Sequence, residues 1–162
     1  MEPAPICLSG GRIMPESETL KRARKDRAEG KASSTQAGEF VREEFRHIRE
    51  GKHSARSAKQ AIAIGLSKAR RAGVPLPPPK KGRASEAVRR HAERDYEKGM
   101  HGQGRPTGRR SRAVLGALRR EGRSAASTRA ISRQMRRSAR NRTAAERAAA
   151  ARKAARTRSN EK

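Results

Sequence analysis

The chain has 162 residues and a formal net charge of +26, from 42 Lys+Arg against 16 Asp+Glu. Leu, Ile, Val and Phe number 18 in all, and the aromatics are Phe40, Phe45 and Tyr96 alone; so little apolar surface cannot offset ~1–2 kcal/mol of backbone entropy per residue, which excludes one large packed domain. The single Cys7 excludes an intramolecular disulfide, and the longest apolar run, residues 61–66, is far too short to span a bilayer.

Residues 1–14 read as a disordered tail, broken by Pro3, Pro5, Gly10 and Gly11. They hold no basic stretch followed by an apolar one, so no signal peptide is expected and a cytoplasmic protein is. Met14 heads the helical pattern and is an alternative first residue, which an intact mass would show. From Pro15 to Val74 the chain reads as a helical region. Pro15-Glu16-Ser17-Glu18 suits a first helical turn, and the polar helix after it, with Leu20 its one large apolar residue, is marginal by itself.

The best hydrophobic pattern lies in residues 34–72, which predict a helical hairpin. Ser33 with Gln36 forms a capping-box signature, followed by Ala37, Phe40, Val41, Phe45 and Ile48 at steps of three and four. Glu39, Glu43 and Arg46 then fall on the opposite, solvated face. Ser57 with Gln60 opens a second helix striped by Ala58, Ile62, Leu66 and Ala69, where Gly65 would admit a close helix approach. The two stripes can meet across the loop 51–56. Residues 75–84, containing Pro75-Leu-Pro-Pro-Pro79 and Lys80-Lys81, read as an extended linker and spacer. Residues 85–98 read as a charged helix, 99–108 as a Gly-rich hinge, and 109–162 as an Arg-rich helical or disordered arm whose last helix opens at Thr143 with Glu146. A unit of helix-ending Glu-Gly, basic residue and Ser-rich helix start recurs at 27–38, 48–62 and 119–131. The expected fold class is therefore mainly α, a small helical hairpin plus isolated helices with Pro- and Gly-rich linkers and an Arg-rich C-terminal arm.

Three segments carry a resemblance: STQAGEFVREE (Ser34–Glu44), EGKH (Glu50–His53) and KQAIAIGLSKARRAGV (Lys59–Val74). They resemble a bacterial family of small basic proteins that carry a domain of unknown function and are sometimes labelled DNA-binding. The likeness extends over about residues 14–100. It implies a bacterial, soluble, non-secreted protein and brings no catalytic residue with it.

Nothing in the sequence predicts catalysis. His47, His53, His91 and His101 match no zinc-binding spacing and read as solvated or weakly phosphate-facing. Glu43-Glu44 and Glu93/Asp95/Glu97 read as carboxylates that balance basic helix surfaces, with no apolar pocket to tune them. No metal, cofactor or enzymatic activity is expected.

Charge points to a class of partner. From Gly104 to Lys162 there are 19 Lys+Arg, 17 of them Arg, against three glutamates. Such a segment releases condensed counterions from a nucleic acid, and without aromatics it cannot stack on bases. The reading is a sequence-nonspecific nucleic-acid-binding protein, DNA more than RNA, associated with the nucleoid and not with a membrane. Its candidate phosphate contacts are Arg105, Arg109, Arg110, Arg112, Arg119, Arg120, Arg123, Arg129, Arg133, Arg136, Arg137, Arg140 and Arg142. A second basic surface comprises Lys52, Arg56, Lys59, Lys68, Arg70 and Arg71 on the hairpin. A helix-turn-helix reader would share part of that surface, but a plain basic hairpin fits better because the loop is long, no third core helix is evident and Gln60 is the one amide placed for base readout. The alternatives are an RNA- or ribosome-associated basic protein, and a disordered stress-type protein whose nucleic-acid affinity is incidental. No protein partner is implied.

Overall fold

The computed structural model describes residues 15–102 and 108–160, the side chains of 108–111, 157 and 160 excepted. The described residues form seven α-helices, one short 3-10 helix and no strand, so the mainly helical class holds. The helices are α1 (Ser17–Ala28), α2 (Ser33–Arg49), α3 (Ala58–Arg71), α4 (Glu86–Met100), α5 (Gly108–Arg119), α6 (Thr128–Arg140) and α7 (Ala144–Asn160), with the 3-10 helix at Arg123–Ala126. They fall into two compact units, one ending at Ala126 and the other spanning Ser127–Lys162.

In the first unit α2 is the central helix. It packs on α1, α3 and the 3-10 helix, while α4 packs on the far side of α3. This exceeds the hairpin expected from sequence. α1 does not stand alone: Thr19 and Ala23 are buried, and Leu20 lies against the core formed by Ala23, Ala37, Phe40, Ala69 and Val74. Phe40 and Ile48 are fully buried and Phe45 nearly so. Because α2 has neighbours on three sides, its expected solvated face is also covered, and Glu39, Glu43, Glu44 and His47 are buried beside the apolar stripe.

The recurring stop–loop–start unit builds the first two junctions. Gly30 and Gly51, each just after a C-capping glutamate, take φ values of +69° and +74°, a conformation that glycine adopts without a Cβ penalty. Ser57 then caps α3 by accepting from the Gln60 N–H at 3.2 Å. At the start of α2 the capping expectation needs correcting. The N-cap is Ala32 without a side-chain cap, and Gln36 turns back to donate to the Lys31 carbonyl at 2.8 Å. At the third copy a 3-10 helix is inserted before Ser127 caps α6 through the Ala130 N–H.

Gly65 works as expected. A Cβ there would lie 2.7 Å from the Val41 Cα, so α2 and α3 meet backbone to backbone. Gly99 is the counterpart that sequence reading placed at a helix end. It sits inside α4, where a Cβ would fall 1.8 Å from the Arg70 carbonyl oxygen. The expected hinge therefore starts later than Gly99, and its residues 103–107 lie outside the described residues. The Pro-rich segment is a strap, not a free spacer. Arg70 donates through Nε to the Leu76 carbonyl at 3.1 Å and through Nη2 to that of Pro77 at 3.4 Å, and Leu76 packs on the core.

Truncating Phe40 should cost ~3–5 kcal/mol, the usual loss for a buried Phe, against a total of ~5–15 kcal/mol for a domain. Phe40→Ala is thus expected to melt α1–α4 at or near room temperature, read by circular dichroism. An unchanged melting temperature would contradict this core.

Candidate nucleic-acid interface

The second unit concentrates exposed arginine. Ser127–Lys162 carries 12 Lys+Arg against two glutamates. α6 buries none of its side chains. Its arginines stand at 129, 133, 136, 137 and 140, spacings of four, three, one and three. At 3.6 residues per turn these fall within a stripe about 100° wide and about 16 Å long. All five are exposed. Ile131, Gln134, Met135 and Ser138 take the opposite side. Neighbours three or four apart in the stripe carry like charge, each pair costing ~0.2–0.5 kcal/mol in an isolated helix; a polyanion laid along the stripe removes that cost. The arm's sequence was read as undifferentiated positive charge, yet the four-three spacing that marks this stripe is visible in it.

α7 is different. A reciprocal capping box opens it: the Thr143 N–H donates to Glu146 Oε2 at 2.9 Å and the Glu146 N–H to Thr143 Oγ1 at 3.2 Å. Its Arg147, Arg152, Arg156 and Arg158 are exposed but distributed around the helix, so no single face is basic. Arg142, between the two helices, is also exposed.

Of the remaining predicted contacts in the arm, Arg105 lies outside the described residues, as do the side chains of Arg109 and Arg110. Arg112, Arg119, Arg120 and Arg123 are exposed on the first unit. The hairpin surface divides. Lys52, Arg56 and Lys59 are exposed, although Lys52 already bonds Glu16 at 3.1 Å and Glu50 at 2.9 Å. Arg71 bonds Ser67 at 3.0 Å and Asp95 at 3.3 Å. Two candidates are not at the surface. Arg70 is 8 % exposed and holds the Pro strap, and Lys68 is 3 % exposed. Arg70 is turned to the Pro strap, and Lys68 to Glu43 and Glu44 of α2. Gln60 is likewise engaged, its Oε1 accepting from the Arg56 N–H at 2.7 Å.

Lys68 belongs to a buried charge cluster that sequence reading missed. Its ammonium donates to Glu43 Oε1 at 3.3 Å and lies 2.8 Å from Glu44 Oε2. Glu43 also accepts from the Glu16 N–H at 3.0 Å. Glu16 itself bonds the His47 ring at 2.6 Å and the Arg46 guanidinium. His53 Nε2 faces Glu44 Oε1 at 3.0 Å. His47 and His53, expected in solvent, are 8 % and 5 % exposed.

Two carboxyls are shifted by this arrangement. The His47 ring, with Arg46 and Lys52, holds Glu16 down at about 2, overcoming the upward push of burial. Burial pushes Glu44 up, but His53 and Lys68 outweigh it and its carboxyl is lowered. A carboxylate lowered in the folded state adds stability that is complete above its ordinary value and lost on acidification. The melting temperature should therefore fall as pH drops from about 4.5 towards 2, and Glu16→Gln should weaken that dependence. A melting temperature flat across this window would contradict the cluster.

One open groove of about 420 Å³ lies between Leu20, Phe40, Val74 and Met100. Its polar lining comes from Arg24, Arg27 and Gln36, with no carboxylate, histidine or cysteine.

Residues 17–81 match the model of a family of unknown function, DUF6496. The DUF6496 match takes in α1, α2, α3 and the Pro strap, and with them the buried charge cluster except Glu16. It agrees with the resemblance to a domain of unknown function drawn from Ser34–Glu44 and Lys59–Val74. The arginine stripe of α6 lies outside the DUF6496 region. No curated protein and no solved structure matches the chain.

Proposed function

We propose that the chain is a sequence-nonspecific nucleic-acid-binding protein, DNA-binding and nucleoid-associated, in which the DUF6496 region is a folded base and Ser127–Lys162 the phosphate-binding element. The observation that carries this reading is the exposed five-arginine stripe of α6. Guanidinium groups are weakly hydrated and fork onto phosphate oxygens, so a row of them on one helix face matches a phosphate backbone.

The hairpin supports the same division of labour. α3 is packed on α2 and α4, and between Lys59 and Arg71, which are themselves exposed, the one exposed residue is Ala63. Such a face offers little for reading base edges. The acidic residues support a binding role over a catalytic one: Glu16, Glu39, Glu43 and Asp95 are each held in ion pairs or hydrogen bonds to basic groups.

The test is titration of two duplexes of unrelated sequence, and one RNA, at several salt concentrations. The reading requires similar affinities for the two duplexes and a steep loss of affinity with salt. A strong preference for one sequence, or an affinity insensitive to salt, would overturn it. Tighter binding to the RNA would move the assignment to an RNA-associated protein.

A further inference from the structure

The cluster of Glu44, His47 and His53 has a feature that ion pairing leaves unsatisfied. One ligand-capable atom from each residue lies within 4.8 Å of the other two, and all three residues are buried. Glu43 next door is satisfied by hydrogen bonds from the Lys68 ammonium and the Glu16 N–H. Both oxygens of Glu44 and Nε2 of His53, by contrast, have no hydrogen-bond partner although they are buried. Their neighbours stand at ion-pair distance without hydrogen-bond direction. The charge of Glu44 is compensated by Lys68, but its hydrogen-bonding capacity is left over.

The ring nitrogens show what fits. His53 Nδ1 lies 3.3 Å from the Ser54 carbonyl oxygen. A carbonyl cannot donate, so Nδ1 carries a proton and Nε2 is the nitrogen turned towards Glu44. It faces Glu44 Oε1 at 3.0 Å, so the pair needs a cation between them, a proton on Nε2 or a metal ion in its place. At His47, Nε2 donates to the Glu16 carboxylate at 2.6 Å, which leaves Nδ1, 4.0 Å from Glu43 Oε1, as the nitrogen a metal ion would take. Each imidazole thus has one nitrogen oriented by an oxygen acceptor, the outer-shell pattern that fixes metal-binding histidines.

We propose that Glu44, His47 and His53 form a binding site for one divalent first-row transition metal ion, zinc by ligand preference, which staples the loop after α2 to that helix. Two imidazoles and one carboxylate suit such ions. Ligand edges in a tetrahedral site with ~2.0–2.2 Å bonds are about 3.3–3.5 Å. The 3.0 Å pair is near that already, and the 4.8 Å limit contracts by side-chain rotation. Two ligands come from α2 and one from the loop that carries Lys52 and Arg56, so the ion would fix the hairpin in a unit whose apolar core is small. The site is structural in this reading, and the nucleic-acid proposal neither requires it nor fails with it.

The experiment uses the full, tag-free chain stripped with chelator, then titrated with zinc or cobalt(II). Zinc at a hundred times its Kd should raise Tm by on the order of 10 °C, and cobalt should develop the visible ligand-field bands of a low-symmetry site. Glu44→Gln and His53→Gln should abolish both, while His91→Ala, at an exposed histidine, should keep both. If the cluster variants fail to fold by circular dichroism, the cobalt spectrum of the unaltered chain decides. Absence of cobalt bands and of a zinc-dependent shift in the unaltered chain would overturn the proposal, and so would an equal shift in folded Glu44→Gln or His53→Gln; a proton on His53 would then be the cation that the cluster uses.

Discussion

Ending the chain at Ala126 should remove most of its affinity for duplex DNA and flatten the salt dependence of what remains. With ~6–10 phosphates engaged, affinity of the intact chain is expected to fall ~10³–10⁵-fold between 50 and 200 mM salt, since each phosphate contributes about 0.9 to the log–log slope. Replacing Arg129, Arg133, Arg136, Arg137 and Arg140 together with Gln should lower the slope by about 4–5. Arg133→Gln alone should lower it by about 1. The choice of Ala126 follows from the structure. A cut at Gly104 would also remove buried Leu118 and the 3-10 helix, whose Ala125 and Ala126 are buried and which packs on α2 and α3, and so would confound loss of binding with loss of fold. α6 contributes no buried side chain, so the five-fold Gln variant should keep the melting temperature of the first unit. A truncated chain that binds with the full slope would place the phosphate contacts on the hairpin instead.

Lys68→Met should damage the fold itself. The Lys68 side chain is 2 % exposed and lies between two carboxylates that are 0 % exposed. Removing one member of a buried ion-paired group leaves the others uncompensated, at a cost of ~3–5 kcal/mol. For a unit of this size that corresponds to a loss of on the order of 15–30 °C in Tm. Lys59→Met, one residue into α3 and exposed, should stay within about 0.5 kcal/mol of the parent. If Lys68 were a phosphate contact, its loss would weaken binding and leave Tm unchanged. Adding Glu43→Gln and Glu44→Gln to Lys68→Met should recover part of the deficit, because neutral buried amides replace unpaired charge. A Lys68→Met chain that melts like the parent would remove the cluster from the core.

The sequence showed the helices better than their neighbours. The i, i+3, i+4 stripe of Phe40, Phe45 and Ile48, the Ser57 cap and the close approach at Gly65 were all visible, because each depends on residues a few positions apart. α1 and α4 were legible as helices but not as packing partners, since Ala23 and Ala92 make contacts that leave no hydrophobic signature. That omission propagated. With α2 taken as half of a two-helix hairpin, Glu43, Glu44 and His47 were assigned to solvent by their type. With three neighbours around α2 there is no solvent on that side, and the charges are compensated by Lys68 and Glu16 from elements 25 or more positions away in sequence. The proposed metal site at Glu44, His47 and His53 escapes spacing rules for a similar reason: its third residue comes from a loop that folds back onto the helix. The positive charge of the arm was evident from composition. Its ordering into one stripe on α6 follows from positions 129, 133, 136, 137 and 140 once the helix is placed.

Hydrogen exchange of the intact chain with and without a duplex of arbitrary sequence at low salt tests the central claim most directly. The account predicts slowed amide exchange across Thr128–Arg140 as the stripe is neutralised, and unchanged exchange in α2 and α3. Slowing confined to the loop before α3 and to α3 itself, with α6 and α7 unaffected, would contradict it.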